Sequence, residues 1–158
     1  MGYGEQVDSL DQILLNALRG DATQSYAALG RKAGLSAAAA HERVRKLRER
    51  GVIRRTTIDV DPAAVGRPVL AFVLVESTAW VGEEPTRAAL REIPELEEVH
   101  IVAGSASLLV KIRTGTTEGL QDVLRRLFAI EGVSGTQTIV VLETVLEGAG
   151  GERAPSND

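Results

Sequence analysis

Cysteine is absent from this chain, which excludes disulfides, thiolate nucleophiles and thiolate metal sites. Histidine occurs only at His41 and His100, too far apart in sequence to make a compact zinc site. Aromatic residues make up 3%, which leaves little material for base-stacking platforms. No apolar run approaches the roughly 20 residues of a membrane span. The opening MGYGEQVDSLD lacks the basic and apolar blocks of a signal peptide. The expectation is a soluble, cytoplasmic protein with no membrane partner.

What is present suffices for a core. Hydrophobic residues are 44% of 158, enough for one ordinary domain or two small ones. A net charge of -4 argues against a polyanionic partner, but the charge is unevenly placed. Residues 1–66 hold 10 Lys/Arg against 8 Asp/Glu, whereas residues 67–158 hold 8 against 14. Within residues 31–55 there are 9 basic and 2 acidic side chains. Local asymmetry of this kind, more than the total, sets the field that a polyanion meets.

The first half reads as short helices. Ser9 to Gln12 fits a capping box, with Ser9 as cap and Gln12 reaching back. Leu10, Ile13, Leu14, Ala17 and Leu18 follow at helical spacing. Ser25 caps a second helix over 26–33, and Gly34 supplies its end. Ser36 caps a third, whose Ala40, Val44 and Leu47 form one apolar stripe, and Gly51 stops it. Residues 52–58 are rich in β-branched side chains and predict a strand or part of a small hairpin. Two prolines and a glycine in 61–68 mark a linker, with room for one helical turn.

The second half alternates strand and helix: 69–76, a helix opened by Glu83-Glu84-Pro85, 99–103, 108–113, a helix opened by Thr116-Thr117-Glu118, and 136–146. The fold class is therefore α+β: an N-terminal winged helix-turn-helix followed by a C-terminal ferredoxin-like βαββαβ domain. The domain limits are 8–58, a linker at 59–68, 69–147, and a disordered tail at 148–158. Both helices of a ferredoxin-like domain cover one sheet face. Residues 69–75 and 139–142 are nonetheless apolar at every position, so both faces call for burial, and a homodimer through the sheet is expected.

Helix 36–50 is the one that would enter the major groove. Opposite its stripe it presents Ala38, Glu42 and Arg45, with His41 at the edge and Ser36 and Ala37 at the tip. Arg43, Lys46, Arg48 and Arg50 flank the stripe and suit phosphates, and Arg54 and Arg55 would sit on the wing. A basic helix is often only a solvated face, and alanines are good helix filler. The glycine turn between two helices and the following β segment favour the DNA reading. Glu42 with Lys46 and Arg45 with Glu49 are i,i+4 pairs, each worth only about a few tenths of a kcal/mol.

These residues resemble a known family. Leu10-Asp11 with Leu14, then Gly34-Leu35-Ser36, then Glu42-Arg43-Val44-Arg45-Lys46-Leu47 and Gly51-Val52-Ile53 are similar to the leucine-responsive regulatory protein/AsnC ("feast/famine") transcription regulators of bacteria and archaea. Farther on, Val102 and Gly104, Leu108-Leu109 with Lys111, Gly132-Val133, Thr136 with Thr138, and Val141-Leu142 resemble that family's effector-binding and oligomerisation domain. The resemblance covers about residues 8–147. It implies a transcription regulator that binds specific double-stranded DNA sequences and is modulated by a small-molecule effector, an amino acid. It implies a homodimer that assembles to a tetramer, octamer or larger particle, with a cytoplasmic, nucleoid-associated location and no other cofactor. It maps the helix-turn-helix to about 26–45. The implied DNA-binding set is Ser25, Tyr26, Ser36, Ala37, Ala38, His41, Arg43, Arg45, Lys46, Arg54 and Arg55. The implied effector set is Val102, Gly104, Ser105, Ala106, Ser107, Thr136 and Thr138. The family commonly carries an acidic and aromatic run after Gly104. This chain has Ser105-Ala106-Ser107 there, which changes what the turn can hold.

Other readings stand beside this one. An enzyme is not expected: no nucleophile and base are paired, and the two histidines fall in different domains. An RNA module needs aromatics on its central strands, and residues 108–113 (LLVKIR) have none. A metabolite sensor that no longer binds DNA is argued against by the basic helix, and the alternative kept is an amino-acid or metabolite sensor with weak or architectural, low-specificity DNA binding.

Overall fold

Serine and aspartate caps define the first three helices. The computed structural model describes residues 7–145, of which 7–58 and 59–145 form separate units. The expected tail at 148–158 and the last two residues of the 69–147 domain lie outside the described residues. In the first unit, α1 spans Ser9–Gly20, α2 spans Tyr26–Ala33 and α3 spans Ala37–Glu49. Ser25 Oγ accepts from the Ala28 N–H at 3.2 Å, and Ser36 Oγ accepts from the Ala39 N–H at 3.1 Å. The α1 cap lies one residue earlier than the sequence reading placed it. Asp8, not Ser9, accepts from the Asp11 N–H at 2.7 Å. Its carboxylate both caps and suits the positive end of the helix dipole. The Gln12 side chain turns forward to Asn16 instead of back.

Leu14, Leu29, Ala33, Ala40 and Val44 form the core of this unit, each 7% exposed or less. Leu47 is fully buried as well. The apolar stripe on α3 is therefore the buried face. Residues 52–58 form no strand. A strand needs a partner to share ladder hydrogen bonds, and this segment pairs with none among the described residues. The segment where a wing was expected is irregular, with Ile53 packed against the core of the unit.

The second unit runs β1 (Val69–Ser77), α4 (Glu84–Arg91), β2 (Leu96–Ile101), β3 (Leu108–Thr114), α5 (Thr117–Phe128) and β4 (Val133–Val140). The sheet order is β2-β3-β1-β4 with every pair antiparallel, the ferredoxin-like arrangement. Two strands differ in extent from the sequence reading. β2 starts at Leu96 because a bulge between Leu96 and Glu98 lets pairing begin before residue 99. β4 starts at Val133, opposite Ser77, and its ladder ends where Val140 faces Ala71.

Alternation sorts the side chains. Ala71, Val73, Val75, Leu108, Val110 and Ile112 face the helices and pack with Leu90, Ile93, Leu120, Val123 and Leu127. The intervening residues face the other way. In register across the sheet they are His100, Leu109, Leu74 and Gln137, then Glu98, Lys111, Phe72 and Ile139. The open face is thus apolar at Phe72 and Leu74 on β1, mixed at Leu109 and Lys111 on β3 and at Gln137 and Ile139 on β4, and polar at Glu98 and His100 on β2. Ile139 is 50% exposed there.

Candidate DNA interface and effector turn

The turn between α2 and α3 is set by two glycines. Gly34 takes φ 67°, a left-handed conformation that a side chain would strain. Gly30 is buried inside α2 because the following turn passes directly over it. A Cβ built there would lie 2.6 Å from the Leu35 carbonyl oxygen and 3.1 Å from the Ser36 carbonyl. The Leu35 N–H closes the turn by donating to the Gly30 carbonyl at 2.8 Å. These contacts fix the angle at which α3 leaves α2, and hence the approach of α3 to a ligand. Sequence reasoning overlooked Gly30, although a glycine inside an otherwise regular helix is itself a signal of close approach.

The exposed side of α3 holds Ser36, Ala37, Ala38, His41, Arg45 and Lys46, as the sequence spacing predicted. Tyr26, on the first turn of α2, meets His41 edge-on, with ring centroids 4.6 Å apart and planes at 81°. Arg48 donates to the Tyr26 hydroxyl oxygen at 3.4 Å. Tyr26, His41 and Arg48 therefore meet on one side of the helix pair, next to the Ser25 cap. Arg54 and Arg55 lie exposed on the irregular segment after α3.

Arg43 has a different position from the one its sequence neighbours implied. Its guanidinium donates to Asp8 at 2.6 Å and to Asp11 at 2.8 Å. Asp11 is 5% exposed. Arg43 thus ties α3 to the first turn of α1, and its charge is balanced inside the unit. The N–H of Asp11 and then Arg43 hold the Asp8 carboxyl below its ordinary value, and the same pairing raises the pKa of Arg43. Arg45 is also paired: it donates to both oxygens of Glu42, at 2.9 and 2.6 Å, and to Glu49. Lys46 approaches Glu42 at 3.9 Å. Both i,i+4 pairs read from the sequence are formed.

In the second unit, residues 102–107 are the turn joining β2 and β3. The Val102 N–H donates to the Ser107 carbonyl at 3.1 Å, and Gly104 takes φ 139°. The Ser107 N–H donates to the Val75 carbonyl at 2.8 Å. Thr136 pairs with Val75 from the other side, and Thr138 pairs with Val73. The fold therefore brings the turn and Thr136 to the same end of β1, about 10 Å apart by the strand spacing. Ser105 is exposed, while Ala106, Thr136 and Thr138 are half-buried. A cavity of about 650 Å³ opens between α4 and β2, floored by Leu90, Ile93, Leu96 and Leu108 and ending at Ile101, next to this turn.

Residues 7–48 match the family model described as an AsnC-type helix-turn-helix domain, and residues 70–150 match the one described as an Lrp/AsnC ligand binding domain. The chain is a member of the Lrp/AsnC family. Among its Lrp/AsnC relatives, the HTH-type transcriptional regulator FL11 of Pyrococcus horikoshii is 38% identical, over 87% of this chain and 91% of that protein. The solved structure of Escherichia coli AsnC has a TM-score of 0.83 at 29% identity, covering 91% of this chain and 97% of its own. The feast or famine regulatory protein of Mycobacterium tuberculosis, solved with L-methionine, has a TM-score of 0.82 at 31% identity, covering 90% and 96%. As an Lrp/AsnC protein the chain belongs to a family of transcription regulators. Among the described residues no group of His, Cys, Asp or Glu could hold a metal ion, and no helix is long and apolar enough to cross a membrane.

Proposed function

We propose that the chain regulates transcription by placing α3 in the major groove of double-stranded DNA, and that an amino acid bound at the β2–β3 turn modulates this. The observation that carries the reading is the union of the two family matches in one chain: a helix pair set by Gly30 and Gly34, followed by a ligand-binding domain. Ser25, Tyr26, Ser36, Ala37, Ala38, His41, Arg45 and Lys46 contact the duplex, while Arg54 and Arg55 take phosphates. Arg43 holds α3 in place instead of touching DNA. The amino acid is received by Val102, Gly104, Ser105, Ala106, Ser107, Thr136 and Thr138. Support comes from the relative solved with L-methionine at 31% identity.

The functional particle is a homodimer formed through the open sheet face, assembled further into a tetramer, octamer or larger particle. Phe72, Leu74, Leu109 and Ile139 on that face give it the apolar area such a contact needs. The location is cytoplasmic, at the nucleoid. The test is a thermal-shift panel of the common amino acids followed by DNA binding with and without each hit. A ligand that binds the native state raises its stability, so one or a few amino acids should shift the melting point and change DNA affinity. A flat panel removes the amino acid from the account. No binding to any duplex at low salt removes the whole reading.

A further inference from the structure

Arg45 stands at the middle of the outward ridge of α3, the ridge Ala38–Glu42–Arg45–Glu49 that lies opposite the buried Ala40, Val44 and Leu47. This ridge is the part of the helix that a groove would receive, and it carries one cation and two carboxylates. On the most basic helix of the chain, the DNA-facing line has net charge -1. A ridge built only to hold phosphates would not be acidic.

The geometry of Arg45 accounts for the carboxylates. A guanidinium has five N–H donors. Nε and Nη2 of Arg45 are engaged side-on by Glu42, and Nη1 by Glu49. That leaves two N–H groups, one on each terminal nitrogen, with no partner among the described residues. Two parallel N–H groups fit the O6 and N7 acceptors of guanine. With Glu49 on the outer N–H of Nη1, the two that remain lie parallel at the tip of the guanidinium, and Arg45 can read guanine while held by both glutamates. Glu42 sits one turn nearer the tip of the helix. Its oxygens have lone pairs to spare after accepting from Arg45, and a carboxylate in the major groove accepts from the N4 amino group of cytosine. The ion pair with Arg45 offsets the repulsion that an isolated carboxylate would meet among phosphates.

We propose that Glu42 and Arg45 form a fixed acceptor–donor pair that selects cytosine and guanine at neighbouring positions of the DNA site, with Glu49 as the residue that positions Arg45. This rests on the proposed DNA-binding function, and it makes Glu42 a specificity-determining residue in a helix whose tip is otherwise alanine.

The test is selection of bound duplexes from a random pool by the full-length wild-type chain, by Glu42→Gln and by Arg45→Ala. The wild type should enrich a site containing cytosine and guanine next to or near each other. Glutamine pairs bidentately with adenine, so Glu42→Gln should change the preferred base at the cytosine position from cytosine to adenine. Arg45→Ala should lose the guanine preference, weakening binding to the wild-type site by about 5- to 100-fold. Glu42→Ala, as a second variant, should lose the cytosine preference without gaining adenine. Thermal melts of each variant establish that it is folded. The inference is overturned if the wild-type site lacks a cytosine–guanine pairing of this kind, or if Glu42→Gln and Glu42→Ala select the same site as the wild type. A wild type that enriches no sequence also overturns the inference, whereas a wild type that binds no duplex at low salt overturns the DNA-binding function itself, which is a different result.

Discussion

Replacing Gly30 by alanine sets two well-characterised effects against each other. Alanine is the better helix residue by about 1 kcal/mol, which alone would stabilise α2. The added Cβ would lie 2.6 Å from the Leu35 carbonyl oxygen, about 0.8 Å inside the 3.4 Å where ordinary contact begins. The obstructing atom is main chain, in a turn already closed by the Leu35 N–H to the Gly30 carbonyl. It cannot rotate away, so α3 must move. Overpacking of this kind costs about 1–3 kcal/mol, and Gly30→Ala falls toward the upper end because relief requires moving a helix. After the propensity gain, the net loss is about 1–2 kcal/mol. For a unit of this size that lowers the melting point by about 5–15 °C. Gly20→Ala is the matched control. It occupies the last residue of α1, where a Cβ meets nothing within 4 Å, and it should leave stability equal or raise it by up to about 1 kcal/mol. Thermal unfolding of the full chain followed by circular dichroism measures both. Gly30→Ala should also weaken DNA binding, since α3 is displaced. A Gly30→Ala protein that melts at or above the wild type and binds DNA equally well would refute the reasoning.

Other consequences are open to direct measurement. Arg43→Ala leaves Asp11, with its side chain 8% exposed, without its cation. Allowing for the partial exposure of Arg43, urea unfolding should show a loss of about 1–2 kcal/mol. The salt dependence of DNA binding should keep the wild-type slope, because the charge is spent within the unit; a slope reduced by about one would make Arg43 a phosphate contact after all. The Asp8 carboxyl is held below its ordinary value of 3.8 by the Asp11 N–H and Arg43. A depressed carboxyl contributes stability that is present above that value and is lost as pH falls through the lower, folded one. Wild-type urea midpoints should therefore drop more steeply below about pH 4 than those of Asp8→Asn, which keeps a capping side chain, and parallel curves would deny the carboxylate this role. Ile139→Glu places a charge on the open face and should shift the particle to a monomer in sedimentation; an unchanged sedimentation coefficient would contradict the sheet dimer.

Features with a local cause were readable in the chain itself. Ser25, Ser36 and Thr116 each accept from the N–H three residues on, as cap residues do. The alternation that places Val73, Val75, Val110 and Ile112 against the helices is visible as apolar runs. Pairs four apart on α3 were visible as spacing. What escaped notice depends on distant partners. Arg43 looks like any flanking cation until the fold brings Asp8 and Asp11 to it from 35 and 32 residues away. The strand expected at 52–58 has the right composition, but composition supplies no neighbour. Gly30 was passed over because a helical period ignores which residue another segment crosses. Of the candidate sites, the exposed positions of α3 were legible from helix geometry, whereas Ser25, Tyr26 and the effector set depended on the family resemblance, since nothing in Ser105-Ala106-Ser107 announces a ligand.

The central claim joins a DNA-binding unit to an effector-binding unit in one regulator. Fluorescence anisotropy of a labelled duplex, carrying the site selected by the wild-type chain, tests it most directly. The titration is repeated across salt concentrations and with each amino acid. The account predicts a selected site bound more tightly than random duplex, an affinity that falls linearly with salt on logarithmic axes, and at least one amino acid that changes the affinity. Equal affinity for selected and random duplex, together with no response to any amino acid, would contradict it.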